Sequence, residues 1–178
     1  MTHPHPTRRI LLAAISALPL QSLLAACSRP APAAITPADF DPATTCDLDG
    51  MLLADHPGPK AQIFFAGQTA PVWYCDTVEL FSTLLRPEQV RPVAAVFTQD
   101  MELADWNTPR GHWFDARTGF YVTGSRRHGA MGPTIPGFRN EPAAQAFADQ
   151  HGGKVLPYAG ITADMVDLSG GAGGDGRM

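Results

Sequence analysis

The N-terminal segment decides how much of this chain is available to fold. Arg8 and Arg9 form a short positive region, and residues 10–26, which follow, are uncharged and mostly apolar. Pro19, Gln21 and Ser22 interrupt this stretch, so it is too short and broken to span a membrane and is typical of an export signal. We therefore predict that residues 1–26 are a signal peptide. Its removal from the 178-residue chain leaves 152 residues, about one domain.

The predicted signal ends with the residues Leu-Ala-Ala-Cys at positions 24–27, which resemble the cleavage box of bacterial lipoproteins. The resemblance implies that Cys27 becomes the lipidated first residue of the mature chain. An ordinary secretory signal with a chance cysteine is the alternative. We expect a periplasm-facing lipoprotein, anchored in a bacterial membrane, either the outer membrane or the periplasmic face of the inner membrane.

The charge of the mature chain limits its partners. The signal holds two of the 13 basic residues and none of the 17 acidic ones, so the mature chain has 11 basic and 17 acidic residues and a formal charge of −6. Such a chain lacks the basic surface that binds nucleic acid or anionic lipid. We therefore expect no nucleic-acid partner and no membrane attachment other than the lipid at Cys27.

Composition divides the mature chain into three parts. Residues 27–44 are rich in Ala, Pro and Thr, which predicts a flexible linker that begins at the lipidated Cys27. Residues 169–178 are mostly glycine and are predicted to be disordered. The folded domain is predicted to comprise residues 45–168.

The first half of this domain predicts strand, strand, helix, strand. Residues 61–67 and 72–75 are mostly apolar and flank a short turn, which is typical of a hairpin. Asp76 and Glu79 have capping-box spacing before a helix with apolar residues at helical intervals. Residues 93–97 are entirely apolar and predict the next strand.

The second half repeats this order. Strands are predicted at 113–116 and 119–123 around a turn, and the long polar loop 124–137 follows. Asn140 can cap a second helix, and residues 154–157 predict a closing strand. The sequence therefore predicts an α+β fold, with two ββαβ units in one small domain.

The common catalytic motifs are absent from the sequence. It contains no Gly-x-Ser-x-Gly nucleophile elbow, no Cys-x-x-Cys redox pair and no glycine-rich phosphate loop between a strand and a helix. These three classes of enzyme can therefore be discounted. The leading hypothesis, a metal carrier, requires no catalytic turnover, so we expect a protein that is not an enzyme.

For this sequence, metal binding is a better hypothesis than catalysis. Cys46 and Met51 bring two sulfur atoms within five residues, and Gly50 permits a tight turn between them. A thiolate and a thioether are soft ligands that suit Cu(I), whereas a structural zinc site requires four Cys or His ligands. Asp47 and Asp49 are hard ligands, which indicates an outer role or a second, divalent ion such as Zn(II) at Asp49.

Other candidate ligands lie further along the chain. His128 and Met131 lie in the long polar loop, which could close over the sulfur ligands. Cys75 follows an apolar strand and is predicted to be a buried structural residue, with a Cys46–Cys75 disulfide as the alternative. The other histidines of the mature chain are expected to be structural or exposed: His56, His112 and His151.

The segment around the first candidate ligands resembles the NosL family, the lipoprotein accessory factors of nitrous oxide reductase assembly. The resemblance is carried by Cys46-x-x-Asp49-Gly50-Met51, the Gly58–Ile63 segment GPKAQI, the lipoprotein box, the mature length, Tyr74-Cys75-Asp76 and Met131-Gly132-Pro133. It runs over most of residues 45–158. Many relatives have a second cysteine where this chain has Asp49, so its loop keeps one thiolate.

This resemblance implies a fold of paired ββαβ units, Cu(I) binding, and copper delivery to the copper–sulfide centre of nitrous oxide reductase. The implied partners are the reductase and its membrane maturation transporter complex. In this chain the expected ligands are Cys46 and Met51, with Asp49, His128 and Met131 as additional candidates. Two other functions stay open: a thiol enzyme related to organomercurial lyases, and a non-catalytic scaffold or solute-binding lipoprotein.

Overall fold

A computed structural model of the chain describes residues 34–168. The predicted signal peptide, the lipidation site at Cys27 and the glycine-rich tail lie outside the described residues. Within residues 34–168, no helix is long and apolar enough to cross a membrane.

The first half of the domain forms an antiparallel sheet covered by one helix. β1 (Ala61–Phe65) and β2 (Val72–Tyr74) form the predicted hairpin, and α1 (Thr77–Leu85) follows. β3 (Val93–Gln99) and β4 (Trp113–Asp115) complete a sheet with the order β2-β1-β3-β4. The strands of this sheet are rich in β-branched and aromatic residues, which favour a pleated, half-buried surface.

The second half forms a smaller sheet with its own helix. The elements, in chain order, are β5 (Phe120–Thr123), β6 (His128–Gly129), β7 (Gly132–Pro133), β8 (Gly137–Phe138), α2 (Glu141–His151) and β9 (Lys154–Pro157). β5 lies between β8 and β9, and β6 pairs with β7 in a separate hairpin. The side chain of Asn140 caps α2, as predicted.

The α+β class and the repeated order of elements are confirmed, but the strand pairing in the second half differs from the expected hairpin. β4 pairs with β3 and extends the first sheet. A 3-10 turn at Ala116–Thr118, capped by the Asp115 carboxylate, leads the chain from the first sheet to the second. The predicted loop 124–137 contains the β6–β7 hairpin and the start of β8.

The folded region also begins earlier than residue 45. Ala38, in the predicted linker, exchanges two backbone–side-chain hydrogen bonds with Gln62 of β1, at 3.0 and 2.8 Å. Phe40 is buried, with edge-on contacts to Trp73 and Trp113 at centroid distances of 6.0 and 6.5 Å. The last residues of the predicted linker therefore form part of the domain.

Helix α1 joins the two halves of the core. On one side Leu80 packs in a fully buried cluster with Ile63 of β1 and Val96 of β3. On the other side the ring of Phe81 packs edge-on against Tyr121 of β5, with 4.9 Å between the ring centroids. The helix therefore holds its N-terminus in a fixed position relative to both sheets.

This arrangement predicts that two leucines of α1 contribute very different amounts to the free energy of unfolding. Leu80→Ala should lower the free energy of unfolding by about 2–5 kcal/mol, because it leaves a cavity in a fully buried cluster. The matched control is Leu85→Ala in the last turn, where the side chain is exposed. Urea unfolding of both variants checks the prediction, and equal losses of stability would contradict it.

Candidate metal centre

The loop from Cys46 to Met51 is a closed turn. The Cys46 N–H donates to the Met51 carbonyl at 2.8 Å, and the Gly50 N–H donates to the Cys46 carbonyl at 2.9 Å. Gly50 has φ of +77°, a left-handed conformation that side chains rarely adopt, so the turn requires glycine here. A β-bridge between Thr45 and Leu52 closes the base of the loop.

The loop docks against the end of β2, which brings the two cysteines together. The Asp47 N–H donates to the Trp73 carbonyl at 2.8 Å, and Cys75 follows two residues later. Cys46 and Cys75 are both buried in one cluster. Both are free thiols, so the structure does not contain the alternative Cys46–Cys75 disulfide.

Glu79 connects the cysteines to the start of α1. Asp76 caps the helix, and Glu79 completes the predicted capping box. One carboxylate oxygen, Oε2, accepts the backbone N–H groups of Cys75 and Asp76 at 3.1 and 3.2 Å. The same oxygen accepts the thiols of Cys46 and Cys75, each at 3.2 Å. The capping box therefore directs a carboxylate at both sulfur atoms.

Four side chains converge at this point. One ligand atom each of Cys46, Asp49, Cys75 and Glu79 lies within 4.8 Å of the other three. Asp49 stands at the exposed edge, with Oδ2 3.8 Å from the Cys75 sulfur and Oδ1 accepting the Met51 N–H at 2.9 Å. The other oxygen of Glu79, Oε1, is buried and has no hydrogen-bond partner.

Burial acts on the ionisation of this group. The sulfur atoms of Cys46 and Cys75 each lie 3.2 Å from Oε2 of Glu79, within hydrogen-bonding distance. The hydrogen bond to Cys46 and burial raise the pKa of Cys75 above its ordinary value. Burial raises the pKa of Glu79, opposed by the hydrogen bonds to the two cysteines. Since a metal binds the thiolate and not the thiol, occupation of the site releases the proton of any thiol that carries one.

A buried lysine contacts the backbone of Cys75. The Lys60 ammonium is fully buried and donates to the carbonyls of Pro57, Gly58 and Cys75 at 2.9, 3.1 and 3.1 Å. Burial lowers the pKa of Lys60 to about 8, and neighbouring acidic groups, Asp76 first among them, oppose this effect. The ammonium is therefore charged at neutral pH.

The β6–β7 hairpin packs beside the site through Asp76. The Asp76 carboxylate accepts the Thr134 hydroxyl at 2.7 Å and the Ala130 N–H at 3.3 Å. A β-carbon at Gly129 would lie 2.1 Å from the same carboxylate, so only glycine fits. Ala130 also packs against the cluster that holds both cysteines.

The structure places some of the predicted ligands at this centre and others apart from it. Asp49 belongs to the convergent group, and half-buried Met51 packs against the cluster of Cys46. His128 is exposed in β6 and no histidine of residues 34–168 belongs to the group. Met131 is exposed at the hairpin tip and lines a cleft beside α1. Their roles as ligands stay predictions.

Two members of the group were not predicted as site residues. Cys75 is buried, as expected, but its thiol faces Cys46. Glu79 was expected only to cap α1. The sequence contains one signal for both, because the glutamate of a capping box turns back towards the residues that precede the helix, and Cys75 is one of them.

Two free thiols, two carboxylates and a neighbouring thioether define a small α+β domain with a thiol-rich candidate metal centre. The NosL family model matches residues 37–166, which include every residue of this centre. The chain therefore belongs to the NosL family.

Named relatives agree with this assignment. The copper-binding lipoprotein NosL of Achromobacter cycloclastes is 39% identical over 149 residues, which cover 82% of this chain and 77% of that protein. The copper-binding lipoprotein NosL of Stutzerimonas stutzeri is 34% identical over 128 residues, covering 71% and 66%. The crystal structure of the copper chaperone NosL from Shewanella denitrificans, 39% identical, matches with a TM-score of 0.67, covering 70% of this chain and 93% of that one.

The buried Asp76 predicts how stability depends on pH. Burial raises the pKa of Asp76 from 3.8 to about 6. The folded state therefore holds this proton more tightly than the unfolded state. The resulting stability is complete below about pH 4 and is lost as the pH rises through about 6, a loss of about 3 kcal/mol.

Asp76→Asn should reduce this loss, since asparagine can still cap the helix but does not ionise. Part of the pH dependence of stability should remain in this variant, because burial also raises the pKa of Glu79. Urea unfolding of the metal-free protein between pH 4 and pH 7 measures the effect, with exposed Asp149→Asn as the control. Identical slopes in all three proteins would refute the prediction.

Proposed function

We propose that this protein is a copper chaperone that holds one Cu(I) ion between the thiolates of Cys46 and Cys75, with Met51 as a third, weaker ligand. The convergence of two free, buried thiols from distant parts of the chain carries the proposal. The copper-binding relatives and the copper chaperone of similar structure support it.

The sulfur geometry suits a soft ion with few ligands. A thiolate–metal bond is about 2.3 Å long for zinc, so two thiolates on opposite sides of an ion lie about 4.6 Å apart. The sulfur atoms of Cys46 and Cys75 lie within 4.8 Å of one another. Two thiolates and a thioether are soft ligands that select Cu(I), whereas the two carboxylates of the group are hard ligands.

The carboxylates have a different role in this proposal. Asp49 and Glu79 are hard ligands and bind Cu(I) poorly. In the metal-free form Glu79 orients both cysteines through hydrogen bonds, and Asp49 shapes the loop by accepting the Met51 N–H. The unpartnered Oε1 of Glu79, together with Asp49, would be the ligands of a second, divalent ion such as Zn(II).

The exposed edge of the site provides a route for release. Asp49 is exposed and Met51 is half-buried, while the two thiols lie beneath them. A thioether is neutral and easily displaced, so a ligand from a partner protein can replace Met51 before the thiolates release the ion. This exchange needs no catalytic turnover. We assign the delivered copper to the copper–sulfide centre of nitrous oxide reductase, with its membrane maturation transporter complex as a further partner, because the chain belongs to the NosL family.

Copper titration separates the roles of the sulfur ligands. In the reduced, soluble domain, Cys46→Ser and Cys75→Ser should each weaken Cu(I) binding by about 100-fold or more, since even outer-shell changes cost 10–100-fold. Met51→Leu should weaken it less, because it removes a neutral ligand. Competition with a chromogenic Cu(I) chelator under anaerobic conditions measures each affinity.

The matched control is Met165→Leu, which removes a thioether from the exposed cleft beside α1. It should leave Cu(I) affinity unchanged. Wild-type protein that retains no Cu(I), or cysteine variants that bind as tightly as wild type, would exclude the proposed site. Parallel His128→Ala and Met131→Leu variants show whether the β6–β7 hairpin supplies a further ligand.

The proposed location predicts a simple fractionation result. Cys27 lies in the lipoprotein box, and a lipid there would be the membrane anchor of the mature chain. Cys27→Ser should move the full-length protein from the membrane fraction to the soluble periplasmic fraction or stop its maturation. Metabolic labelling with a fatty acid checks the attachment directly, and a labelled Cys27→Ser variant would contradict it.

A further inference from the structure

A basic patch lies where the loop after β5 meets the end of α2. Arg126 and Arg127 directly precede β6, and Lys154 begins β9, where it pairs with Thr123 at the end of β5. The mature chain as a whole has a net negative charge. A local group of positive charges on an acidic chain attracts partners of the opposite charge to that one place.

The end of α2 holds Arg126 in this patch. The Arg126 backbone N–H donates to the His151 carbonyl at 2.9 Å, and its guanidinium donates to the Gln150 carbonyl at 2.9 Å. The helix ends at His151, and Lys154 follows three residues later. The two basic segments therefore meet at one end of the second sheet.

Aromatic stacking holds Arg127. Its guanidinium lies over the ring of Trp106, 4.2 Å from the ring centroid. Trp106 also stacks on Phe147 of α2, with 5.6 Å between the centroids, and its indole N–H donates to the His128 carbonyl at 3.1 Å. Tryptophan and arginine are enriched among the residues that contribute most to binding at protein interfaces. An arginine that is already ordered loses little side-chain entropy when a partner binds.

The positive charges of the patch have no carboxylate in ion-pair contact. Over residues 34–168 the one ion pair joins Arg139 to Asp100. Asp105 acts on Arg127 through space, but hydrogen bonds within its own turn engage its carboxylate. Burial, followed by the two arginines of the patch, lowers the pKa of His151, as a positive potential does. The charge is therefore available to a partner.

We propose that the basic patch of Arg126, Arg127 and Lys154 is a docking surface for an acidic segment of a partner protein. Recognition of anionic lipid uses clusters of about four to eight basic residues, more than this patch contains. Arginine and aromatic side chains are instead enriched at protein–protein interfaces. The composition of the patch therefore favours a protein over a membrane surface.

The patch adjoins the metal centre through the β6–β7 hairpin. Ala130, three residues after Arg127, packs against the cluster that contains Cys46 and Cys75. A protein that docks at the patch therefore lies beside the hairpin that borders the centre. Docking itself requires no bound metal, so it is independent of the copper proposal.

The test measures binding of a glutamate-rich peptide with one tyrosine, and a matched glutamine-rich peptide is the reference. The protein is the mature chain, residues 27–178, with Cys27→Ser so that it carries no lipid there. The chain has three tryptophans, and their indole N–H signals in NMR spectra report where the peptide binds. The glutamate peptide alone should shift the Trp106 signal, and less so at high salt. Trp73 and Trp113, which pack against the cysteine cluster, should not respond.

Charge reversal separates the patch from other basic residues. Arg126→Glu combined with Arg127→Glu should weaken peptide binding about tenfold or more, because attraction becomes repulsion between like charges. The matched control combines Arg86→Glu with Arg91→Glu, both exposed, and Arg91 stacks over the Phe65 ring at 3.6 Å. The control has the same change of charge and also loses a cation–π contact, but it should weaken binding much less.

Lys154→Glu is a second variant that leaves the stacked arginine and the end of α2 intact. Its side chain is exposed, and the reversal should weaken peptide binding in the same direction. Circular dichroism verifies that each variant is folded. All variants should keep the Cu(I) affinity of the wild type, since none of these residues belongs to the metal centre.

Three results would overturn the docking surface: no binding of the glutamate peptide, an equal loss of binding in the control, or shifts at Trp73 and Trp113 without one at Trp106. Sedimentation with vesicles of phosphatidylglycerol and phosphatidylcholine tests the membrane alternative. Binding to these vesicles without binding to the peptide would also overturn it. A wild-type protein that fails to bind Cu(I) would refute the proposed function and leave the peptide result unchanged.

Discussion

The arrangement of the centre depends on one carboxylate oxygen. Oε2 of Glu79 accepts two backbone N–H groups at the start of α1 and the thiols of both cysteines. The same interaction therefore begins a helix and orients two candidate ligands in the absence of metal. Since α1 also packs against both sheets, the position of this oxygen is fixed by the core of the whole domain. A site of this kind needs the fold as its scaffold.

The sequence allows much of this structure to be predicted, and the reasons are local. Alternating and apolar runs indicate the strands of the first sheet, and the spacing of Asp76 and Glu79 indicates the helix start. The Cys46–Met51 loop is equally local, because Gly50 closes it. The pairing of β4 with β3 was not predictable in this way, since it depends on contacts between distant residues. The positions of Cys75 and Lys60 depend on the same long-range packing.

The soft and hard groups of the site have different roles. The sulfur atoms of Cys46, Cys75 and Met51 are the candidates for holding a soft ion, while the carboxylates of Glu79 and Asp76 satisfy backbone N–H groups. Asp76 extends this role to the β6–β7 hairpin, and only glycine fits at position 129 beside it. The residue types that distinguish the metal centre are thus held in place in part by hydrogen bonds from backbone N–H groups to the two carboxylates, which do not involve the sulfur atoms.

The two cysteines are distant in the chain, at positions 46 and 75, and meet only when the loop has docked on β2. In the unfolded chain they do not form a chelate. A ligand that binds the native state alone stabilises that state by a free energy that increases with the logarithm of its affinity. If the chain holds copper as proposed, it is therefore more stable when loaded than when empty, and its resistance to proteolysis would report how much metal it holds.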